Sequence, residues 1–269
     1  MQYGRNTEQL AILMVGDVFG ESGFKMLGQH LPAMKQKLRP DLIVVNGENA
    51  AGGIGLLPRQ AQEMFGWGVD VISAGNHTMA RQELYPLLEQ EPHLLRPANW
   101  KEDAPGQGWV VARTRSGYRV AMVSLLGRAL MPGLELACPF AALQNLLDGP
   151  LKNEKCICVD FHAEATSEKQ ALAWHFDGRI SACIGSHTHV ATADERVLPR
   201  GTAYLSDMGM TGPYNSVIGM DPATAINRFL KKTPPKFKVA DGPAILNSVL
   251  ITLDAQSGHA LELHRITIS

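Results

Sequence analysis

Polar side chains able to bind metal ions follow five short apolar runs along the chain. These side chains, in chain order, are Asp17, Glu48 with Asn49, Asn76 with His77, His162, and His187 with His189. Short apolar runs bounded by glycine and polar residues are typical of buried parallel strands. In open α/β sheets, ligands bind beyond the carboxyl ends of the strands. We therefore expect these side chains to converge on one site.

The chemistry of the donors predicts divalent metal ions. Imidazole suits zinc and iron, whereas carboxylate and amide groups suit manganese and magnesium. Asp17 and Glu48 supply a charge of about −2 and two divalent ions about +4, which leaves roughly +2 to hold a bridging hydroxide and an anionic phosphate. His187 and His189 lie two residues apart. In an extended segment both would face one way, whereas in a loop they could bind two neighbouring ions.

The elements that must position these groups alternate between strands and helices. Apolar runs predict strands at residues 11–16, 42–45, 69–74, 120–126, 156–161, 180–185 and 203–206. Helices are expected between several of them, at residues 24–38, 59–67, 82–88 and 166–176. This alternation predicts an α/β fold.

Local signals refine these elements. Pro32 predicts a kink or a boundary in the first helix. Thr166 and Ser167, ahead of Glu168, predict an N-terminal cap. Residues 248–253 and 260–268 predict an antiparallel hairpin at an edge, and residues 233–238, with their Pro-Pro pair, predict a loop.

Composition limits the class of protein. The chain has 269 residues, is 45% apolar and 19% charged, and carries a formal net charge of −1. This balance argues against DNA and an anionic membrane as partners, but not against a small nucleotide. No apolar run is long enough to span a bilayer, and residues 1–10 lack the apolar centre of a signal peptide. We expect a cytoplasmic protein with one domain at residues 11–269, an N-terminal extension at residues 1–10, and four free thiols.

Longer motifs around these residues resemble those of a known superfamily. The motifs are G-D-V-F-G at 16–20, N-G-E-N-A-A-G-G at 46–53, G-N-H at 75–77, D-F-H-A-E-A-T-S-E-K at 160–169, G-S-H-T-H-V at 185–190 and S-D-M-G-M-T-G-P at 206–213. They resemble calcineurin-like metallophosphoesterases, and more closely the bacterial YmdB family of 2′,3′-cyclic-nucleotide phosphodiesterases. The likeness runs from about Ile12 to the C-terminus. G-N-H is shared by a wide superfamily, whereas the N-G-E-N and D-F-H-A-E-A-T-S-E-K motifs are much narrower.

The resemblance implies a fold and a set of site residues. The fold would be an α/β/β/α sandwich in which two central β-sheets are flanked by α-helices. Two divalent or trivalent metal ions are implied, with iron favoured and manganese the alternative. By motif, the first metal would be held by Asp17, Glu48, Asn49 and His189, and the second by Glu48, Asn76, His162 and His187. Glu48 would bridge the two metals, and His77 would donate a proton to the leaving oxygen.

The activity implied by the resemblance is the opening of 2′,3′-cyclic nucleotides to 3′-nucleotides and the hydrolysis of related phosphodiesters. A metal-bridging hydroxide would attack the phosphorus. A partner in RNA turnover is also implied, and bacterial enzymes of this size are often symmetric homo-oligomers. Two alternatives stay open: a nucleotide- or partner-binding regulator on the same fold with little catalysis, and a phosphomonoesterase.

A few residues near the motifs have less defined roles. Ser186 stands where the family usually has threonine, a difference that bears on substrate fit. Asp160 and Asp207 lie at strand ends and are expected to orient imidazoles. Arg96 and Arg128 are candidates either for phosphate contacts or for surface ion pairs. His162-Ala163-Glu164 mimics the H-x-E motif of zinc deaminases, but no P-C-x-x-C motif follows it.

Overall fold

Two six-stranded mixed sheets form the centre of the computed structural model, which describes residues 8–101, 103–230 and 236–269. The strands are β1 (Gln9–Val15), β2 (Leu42–Asn46), β3 (Val71–Ser73), β4 (Trp109–Arg113), β5 (Arg119–Leu126), β6 (Cys156–His162), β7 (Ala182–Ser186), β8 (Arg196–Val197), β9 (Ala203–Leu205), β10 (Gly212–Pro213), β11 (Ala244–Asp254) and β12 (Ala260–Ile268). The α-helices are α1 (Gly20–Leu38), α2 (Pro58–Gly66), α3 (Tyr85–Gln90), α4 (Pro139–Asp148), α5 (Thr166–His175) and α6 (Pro222–Leu230).

Each sheet has a parallel centre. In the first sheet the strand order is β10-β11-β1-β2-β3, with β12 beside β11, and β1, β2 and β3 run parallel. In the second sheet the order is β4-β5-β6-β7-β9-β8, and β5, β6, β7 and β9 run parallel. The carboxyl ends of neighbouring parallel strands therefore lie at a common edge of each sheet, where ligand sites form.

The core has three apolar layers because strand side chains alternate between faces. Ile12 and Met14 of β1 pack between the two sheets, against residues such as Met122 and Ile184. The intervening Leu13 of β1 packs outward against the layer that contains α1 and α2. The outer face of the second sheet packs on α4 and α5 through the cluster of Leu143, Leu147, Ile157, Val159, Phe161 and Leu172. This arrangement confirms the α/β sandwich.

The seven strands predicted between residues 11 and 206 are confirmed to within about two residues, whereas β11 begins at Ala244, four residues before the predicted 248. Several local expectations are wrong. Pro32 lies inside α1, so a helix boundary at Pro32 is wrong. The helix continues to Leu38 because Leu31 and Met34 are buried on either side of Pro32 and tertiary packing holds the turn together. The helix predicted at residues 82–88 begins later than expected: Gln82–Leu84 form a 3-10 turn, and α3 starts at Tyr85. Thr166 does not cap α5: the cap residue is Ala165, with no side-chain cap bond.

Sequence reasoning missed β4, α4 and α6 and the two-residue strands. For α6, the missed signal is the Asp221-Pro222 pair. Pro222 takes the first helical position, where its missing N–H costs nothing. Asp221 accepts a hydrogen bond from the backbone N–H of Thr224 at 2.9 Å. An aspartate followed by proline thus marks the start of α6. Its apolar residues did not indicate the helix, because Ile226, Phe229 and Leu230 are exposed.

The chain termini and the thiols follow the expectations in part. The hairpin is confirmed as β11 and β12, which pair antiparallel. Leu10, placed in the N-terminal extension, is fully buried in β1 opposite Leu253, whereas residues 1–7 lie outside the described part. Residues 233–235 of the loop predicted at 233–238 also lie outside the described part, whereas residues 236–238 are in neither a helix nor a strand. Cys138, Cys156, Cys158 and Cys183 are free.

None of the helices in the described ranges is both long and apolar enough to cross a bilayer.

Candidate functional site

Three buried side chains meet where the two parallel edges face each other. Asp17 follows β1, Glu48 follows β2, and His162 ends β6. Each offers one ligand atom, and these atoms all lie within 4.8 Å of one another. The side chains are 0 to 1% exposed, so the cluster lies in a low-dielectric interior. It contains the donor types that the sequence predicted at these strand ends.

Asp17 carries a buried oxygen that makes no hydrogen bond, although it lies 3.6 Å from Nδ1 of His162. Its Oδ2 accepts a hydrogen bond from the backbone N–H of His187 at 3.2 Å, but its Oδ1 is buried with no hydrogen-bond partner. Burial raises the pKa of Asp17 to about 6, against the lowering effect of His162 and His189. An unsatisfied buried carboxylate oxygen is costly, and a metal ion would satisfy it. The residues present therefore fit a bound metal.

Glu48 lies at the centre of the cluster. Its Oε1 is 3.1 Å from Nε2 of His162, and its Oε2 accepts the backbone N–H of His77 at 3.1 Å. Burial alone would raise the pKa of Glu48, but His162 and His77 hold it well below its usual range. For His162 burial acts in the opposite direction and would lower the pKa, but Glu48, Asp17 and Asp160 raise it to about 9. The carboxylates thus create a negative potential that favours a cation.

Asn76 and His187 complete one side of the cluster. Oδ1 of Asn76 lies 2.9 Å from Nε2 of His162, and Nδ1 of His187 lies 3.0 Å from the same atom. Burial and the neighbouring His162 lower the pKa of His187 to about 3. A neutral imidazole is the form that ligates metals. Nε2 of His187 is 3.1 Å from Oε2 of Glu164, so a carboxylate orients the ring from outside, as is usual for metal-bound histidines.

Asn49 and His189 lie on the other side. Oδ1 of Asn49 is 2.7 Å from Nδ1 of His77, and Nδ2 of Asn49 is 3.2 Å both from Oε1 of Glu48 and from Nε2 of His189. The amide thus turns its nitrogen toward the carboxylate. Ligation of a metal by Oδ1 on that side requires the amide to rotate by half a turn. Every predicted site residue therefore belongs to one continuous network of contacts.

The turn that carries His187 and His189 has an unusual backbone. His187 has φ 100° and His189 has φ 66°, in the left-handed region that non-glycine residues rarely adopt. The two rings contact different partners, His162 and Asn49 respectively, and the pair lies in a loop rather than in an extended strand. Such strain costs about 1–3 kcal/mol per residue and persists only where surrounding contacts enforce it. Here it directs two imidazoles to opposite sides of the cluster.

This strain predicts that a glycine variant at position 187 is more stable than an alanine variant, the reverse of the usual order. His187→Gly is expected to be more stable than His187→Ala by about 1 kcal/mol, since both variants lose the imidazole but only glycine adopts a positive φ without strain. The free energy of unfolding in denaturant measures the difference. Val190, three residues later, is not among the positive-φ residues, so Val190→Gly should be less stable than Val190→Ala. The same order at both positions would contradict strain at His187.

A buried ion pair holds this turn in place. Oδ2 of Asp207 accepts hydrogen bonds from the backbone N–H of Thr188 at 2.9 Å and from its hydroxyl at 2.8 Å. Nζ of Lys169 lies 2.9 Å from the same oxygen, and both charged side chains are 1% exposed. Burial would raise the pKa of Asp207, but Lys169 and the hydrogen bonds lower it. Asp207 was expected to orient imidazoles, and it contacts the residue between them.

Replacing the lysine should therefore destabilise the fold strongly. Lys169→Met leaves a buried carboxylate unpaired, which costs about 3–5 kcal/mol. Because the pKa of Asp207 is depressed in the folded state, the loss is full at neutral pH and shrinks as the pH falls below about 4. Chemical denaturation across this pH range measures it. The control is Lys25→Met, whose exposed pair with Glu21 at 3.4 Å should contribute less than about 1 kcal/mol; an equal loss in both variants would contradict the account.

Asp160 acts on His162 through a hydroxyl group. Its Oδ1 accepts a hydrogen bond from Oγ of Ser186 at 2.6 Å, and Ser73 and Asn46 donate to its Oδ2 at 2.5 and 3.1 Å. Oγ of Ser186 lies 3.0 Å from Nδ1 of His162. Asp160 can therefore orient the imidazole of His162, as expected, through the hydroxyl of Ser186. The contact uses only the hydroxyl, which serine supplies as well as the threonine that the resemblance led us to expect.

A cleft of about 550 Å³ opens beside the cluster. His77, whose side chain is 35% exposed, lies on its wall. The arginine that lines the cleft is Arg228, rather than Arg96 or Arg128. The other lining residues are Phe19, Glu48, Asn49, Gly53, Ile54, Glu164, His187, Thr188, His189, Ile218, Met220 and Phe237. Sequence reasoning noted Glu164 only in the rejected zinc-deaminase motif and gave it no role here, and it missed the apolar residues because nothing in their type indicates chemistry.

Comparisons with known proteins show a family match and several similar chains. The sequence pattern of the YmdB-like protein family matches residues 13–266. A 2′,3′-cyclic-nucleotide 2′-phosphodiesterase of Bacillus subtilis (strain 168) is 43% identical over 260 residues, which cover 97% of each chain. A crystal structure of a hypothetical protein from Thermus thermophilus has a TM-score of 0.89 and 39% identity, and covers 96% of this chain and 99% of that one. A structure described as a novel phosphatase from Mycoplasma pneumoniae has a TM-score of 0.90 and 33% identity, with 97% and 93% covered.

Proposed function

Because the chain belongs to the YmdB-like protein family, we propose that it is a metal-dependent phosphodiesterase that hydrolyses 2′,3′-cyclic nucleotides to 3′-nucleotides. The observation that carries this proposal is the meeting of Asp17, Glu48 and His162, with one buried oxygen of Asp17 left without a hydrogen bond, beside a cleft that exposes His77. Related phosphodiesters would be accepted in the same cleft. The 43% identity to the Bacillus subtilis phosphodiesterase over nearly the whole chain supports the substrate class.

We propose that the site is dinuclear, with iron favoured and manganese the alternative. Asp17, Glu48, Asn49 and His189 would hold one ion, and Glu48, Asn76, His162 and His187 the other. Carboxylate, amide and imidazole donors suit both metals. When bound, such ions lower the pKa of a coordinated water and stabilise charge on the phosphoryl group.

His77 is positioned to act as the proton donor. Its backbone N–H is fixed by Oε2 of Glu48, and its Nδ1 lies 2.7 Å from Oδ1 of Asn49. The amide of Asn49 faces Nδ1 with its oxygen here and would face it with its nitrogen after the rotation that metal ligation requires, so Nδ1 is engaged in both cases and Nε2 is the atom left to protonate the departing 2′ oxygen. A positioned imidazole is the commonest general acid in enzymes. The contacts with Glu48 and Asn49 tie the position of this acid to the metal ligands.

Two other functions make different demands on the site. A non-catalytic regulator that binds a nucleotide or a protein has no need of a proton donor next to a full set of metal ligands. A phosphomonoesterase does use such a site, and the Mycoplasma pneumoniae structure is described as a phosphatase. The departing ribose oxygen needs a proton in both reactions, so the placement of His77 serves either one. The 43% identity to the Bacillus subtilis 2′,3′-cyclic-nucleotide 2′-phosphodiesterase favours the diesterase.

Product analysis tests the proposal. Protein purified without chelator is incubated with 2′,3′-cyclic AMP, and the products are separated by chromatography. We expect 3′-AMP to accumulate, with neither 2′-AMP nor inorganic phosphate as the main product. Release of phosphate from 3′-AMP at a comparable rate would show the phosphomonoesterase instead. Metal-loaded protein that binds the nucleotide without turnover would show the regulator.

We also propose that the protein acts in the cytoplasm as one domain and as a homo-oligomer, with a partner in RNA turnover and without affinity for DNA or membranes. Free cysteines, three of them buried, suit a reducing compartment. The formal net charge of −1 supports the absence of bulk nucleic-acid binding.

A further inference from the structure

One wall of the cleft is apolar and partly aromatic. It is formed by Phe19, Ile54, Ile218 and Phe237, which we call the apolar wall. The ring centroids of Phe19 and Phe237 are 6.0 Å apart with the planes tilted by 52°. Phe19 is 3% exposed, whereas Phe237 and Ile54 are each 37% exposed. The buried ring of Phe19 thus supports an outer ring whose surface remains accessible from the cleft.

The backbone around the apolar wall leaves space for these rings. Gly53 has φ 89°, and a Cβ there would lie 2.8 Å from Phe237 and 2.9 Å from Phe19. Gly219 has φ 98°, and a Cβ there would lie 2.4 Å from Phe19. Two glycines in a conformation that side chains rarely adopt therefore allow the two rings to approach the backbone closely. The apolar wall is a built feature rather than a loose surface patch.

The apolar wall is continuous with the candidate metal ligands. The ring of Phe19 packs edge-on against the ring of His189, with centroids 5.2 Å apart. The carbonyl oxygen of Ile218 lies 2.8 Å from Nδ1 of His189. A phosphodiester held by the candidate ligands would therefore have a substituent close to this wall. For a cyclic nucleotide, the substituent that extends away from the phosphate is the base.

The dimensions and chemistry of the cleft fit a base. About 550 Å³ falls within the range of about 300–1,000 Å³ typical of small-molecule sites. Stacking of a base on an aromatic side chain contributes about 1–3 kcal/mol and tolerates any base, because every base has a π-face. The side chains of the apolar wall contain no hydrogen-bonding group that could read the edge of a base. They can therefore require a base but distinguish poorly among bases.

We propose that the apolar wall, with Phe237 as its accessible ring, binds the base of the nucleotide by stacking and so selects nucleoside diesters over diesters without a base. The proposal rests on the proposed function, since it assumes that the diester is held at the candidate metal ligands. Phe237 is then a specificity-determining residue. The four bases should give values of kcat/KM within about tenfold of one another, with purines favoured by their larger stacking area.

The test compares two cyclic diesters that differ only in the base. These are 2′,3′-cyclic AMP and the 2,3-cyclic phosphate of 1-O-methylribose. For the wild-type protein, kcat/KM should favour the nucleotide by about tenfold, which corresponds to about 1.4 kcal/mol of stacking. In Phe237→Ala this preference should fall close to one, and Phe237→Tyr should restore it. Ile54→Ala should reduce the preference in the same direction.

The matched control is Phe229→Ala. Phe229 is an 88% exposed phenylalanine of α6 that does not line the cleft, so its loss should leave the preference unchanged. An unchanged preference in Phe237→Ala, or the same loss in Phe229→Ala, would overturn the proposal. So would a wild-type protein that hydrolyses both diesters equally well, although the phosphodiesterase activity itself would then stand.

A binding measurement separates the failure of this proposal from that of the proposed function. Calorimetric titration with 3′-AMP and with ribose 3-phosphate gives dissociation constants without turnover. The wild-type protein should bind 3′-AMP about tenfold more tightly, and Phe237→Ala should bind the two equally. If neither diester is hydrolysed but this pattern holds, the phosphodiesterase assignment fails and base binding stands. Equal binding of both ligands by the wild-type protein would overturn base binding.

Discussion

Asp17→Asn is expected to lower phosphodiesterase turnover by about 10³-fold or more and to abolish tight metal binding. The substitution keeps the shape of the side chain and an oxygen that can accept the backbone N–H of His187, now at 3.2 Å. It removes one of the two carboxylate charges that we assign to the metals. Stabilisation by metal ions provides several kcal/mol in phosphoryl transfer, and each 1.36 kcal/mol is tenfold in rate. Hydrolysis of 2′,3′-cyclic AMP and elemental analysis of the same sample measure both effects.

The same variant should be more stable than the wild-type protein once metal is removed. Burial raises the pKa of Asp17 to about 6 from its ordinary 3.8. Because the pKa of Asp17 is higher in the folded state than in the unfolded state, ionisation of Asp17 destabilises the folded protein. This destabilisation is absent below about pH 4 and complete above about pH 6. After chelation at pH 8, Asp17→Asn should therefore unfold at a higher temperature than the wild-type protein. Added metal should reverse the order.

Asp241→Asn provides the control, because Asp241 is exposed and remote in sequence from every candidate ligand. It should change neither metal content nor turnover. If Asp17→Asn retains both metal and activity, Asp17 is not a ligand and the proposed enzyme mechanism is wrong. If it loses activity but keeps a full complement of metal, the charge of Asp17 serves the reaction without holding the ion.

His77→Ala should reduce the hydrolysis of 2′,3′-cyclic AMP by about 10²–10⁴-fold, the usual contribution of general acid catalysis. The leaving group there is a ribose alkoxide, which needs a proton as the bond to phosphorus breaks. An aryl diester such as bis(4-nitrophenyl) phosphate releases a stable phenolate without that proton. Its hydrolysis should fall by less than about tenfold. Steady-state kinetics on both substrates, at equal metal loading, measures the contrast.

This contrast distinguishes proton donation from a bracing role in the loop. Nδ1 of His77 lies 2.7 Å from Oδ1 of Asn49, so a merely structural histidine would position a candidate ligand and affect both substrates alike. Equal losses on the two diesters would remove the acid role. His30→Ala is the matched control, because His30 lies on α1 and does not line the cleft. It should leave both rates unchanged.

The approach of Asp17 to Glu48 was predictable because both stand at the ends of neighbouring parallel strands, which lie at a common edge of one sheet. His162 ends a strand of the other sheet, so its approach depends on the packing of the two sheets, which only the family resemblance implied. The residues that hold these ligands in place were not predictable in the same way. The pairing of Lys169 with Asp207 joins residues that are 38 positions apart, and no local pattern in the sequence encodes it.

Backbone strain and apolar surfaces were also beyond sequence reasoning. The positive φ of His187 and His189 is imposed by the contacts of the turn, whereas residue type predicts ordinary backbone. Phe237 and Ile218 are hydrophobic residues whose types are equally suited to a core. Only the packing shows that they line the cleft. By contrast, Asp221-Pro222 was a readable signal for α6 that apolar periodicity alone did not capture.

Anomalous diffraction from crystals of protein purified without chelator tests the central claim most directly. We expect two peaks about 3.5–4 Å apart, both within coordination distance of Glu48, with Asp17 on one and His162 on the other. Collection at the iron and manganese edges identifies the metal. Crystals with no peak among Asp17, Glu48 and His162, grown from protein that hydrolyses 2′,3′-cyclic AMP, would contradict the account.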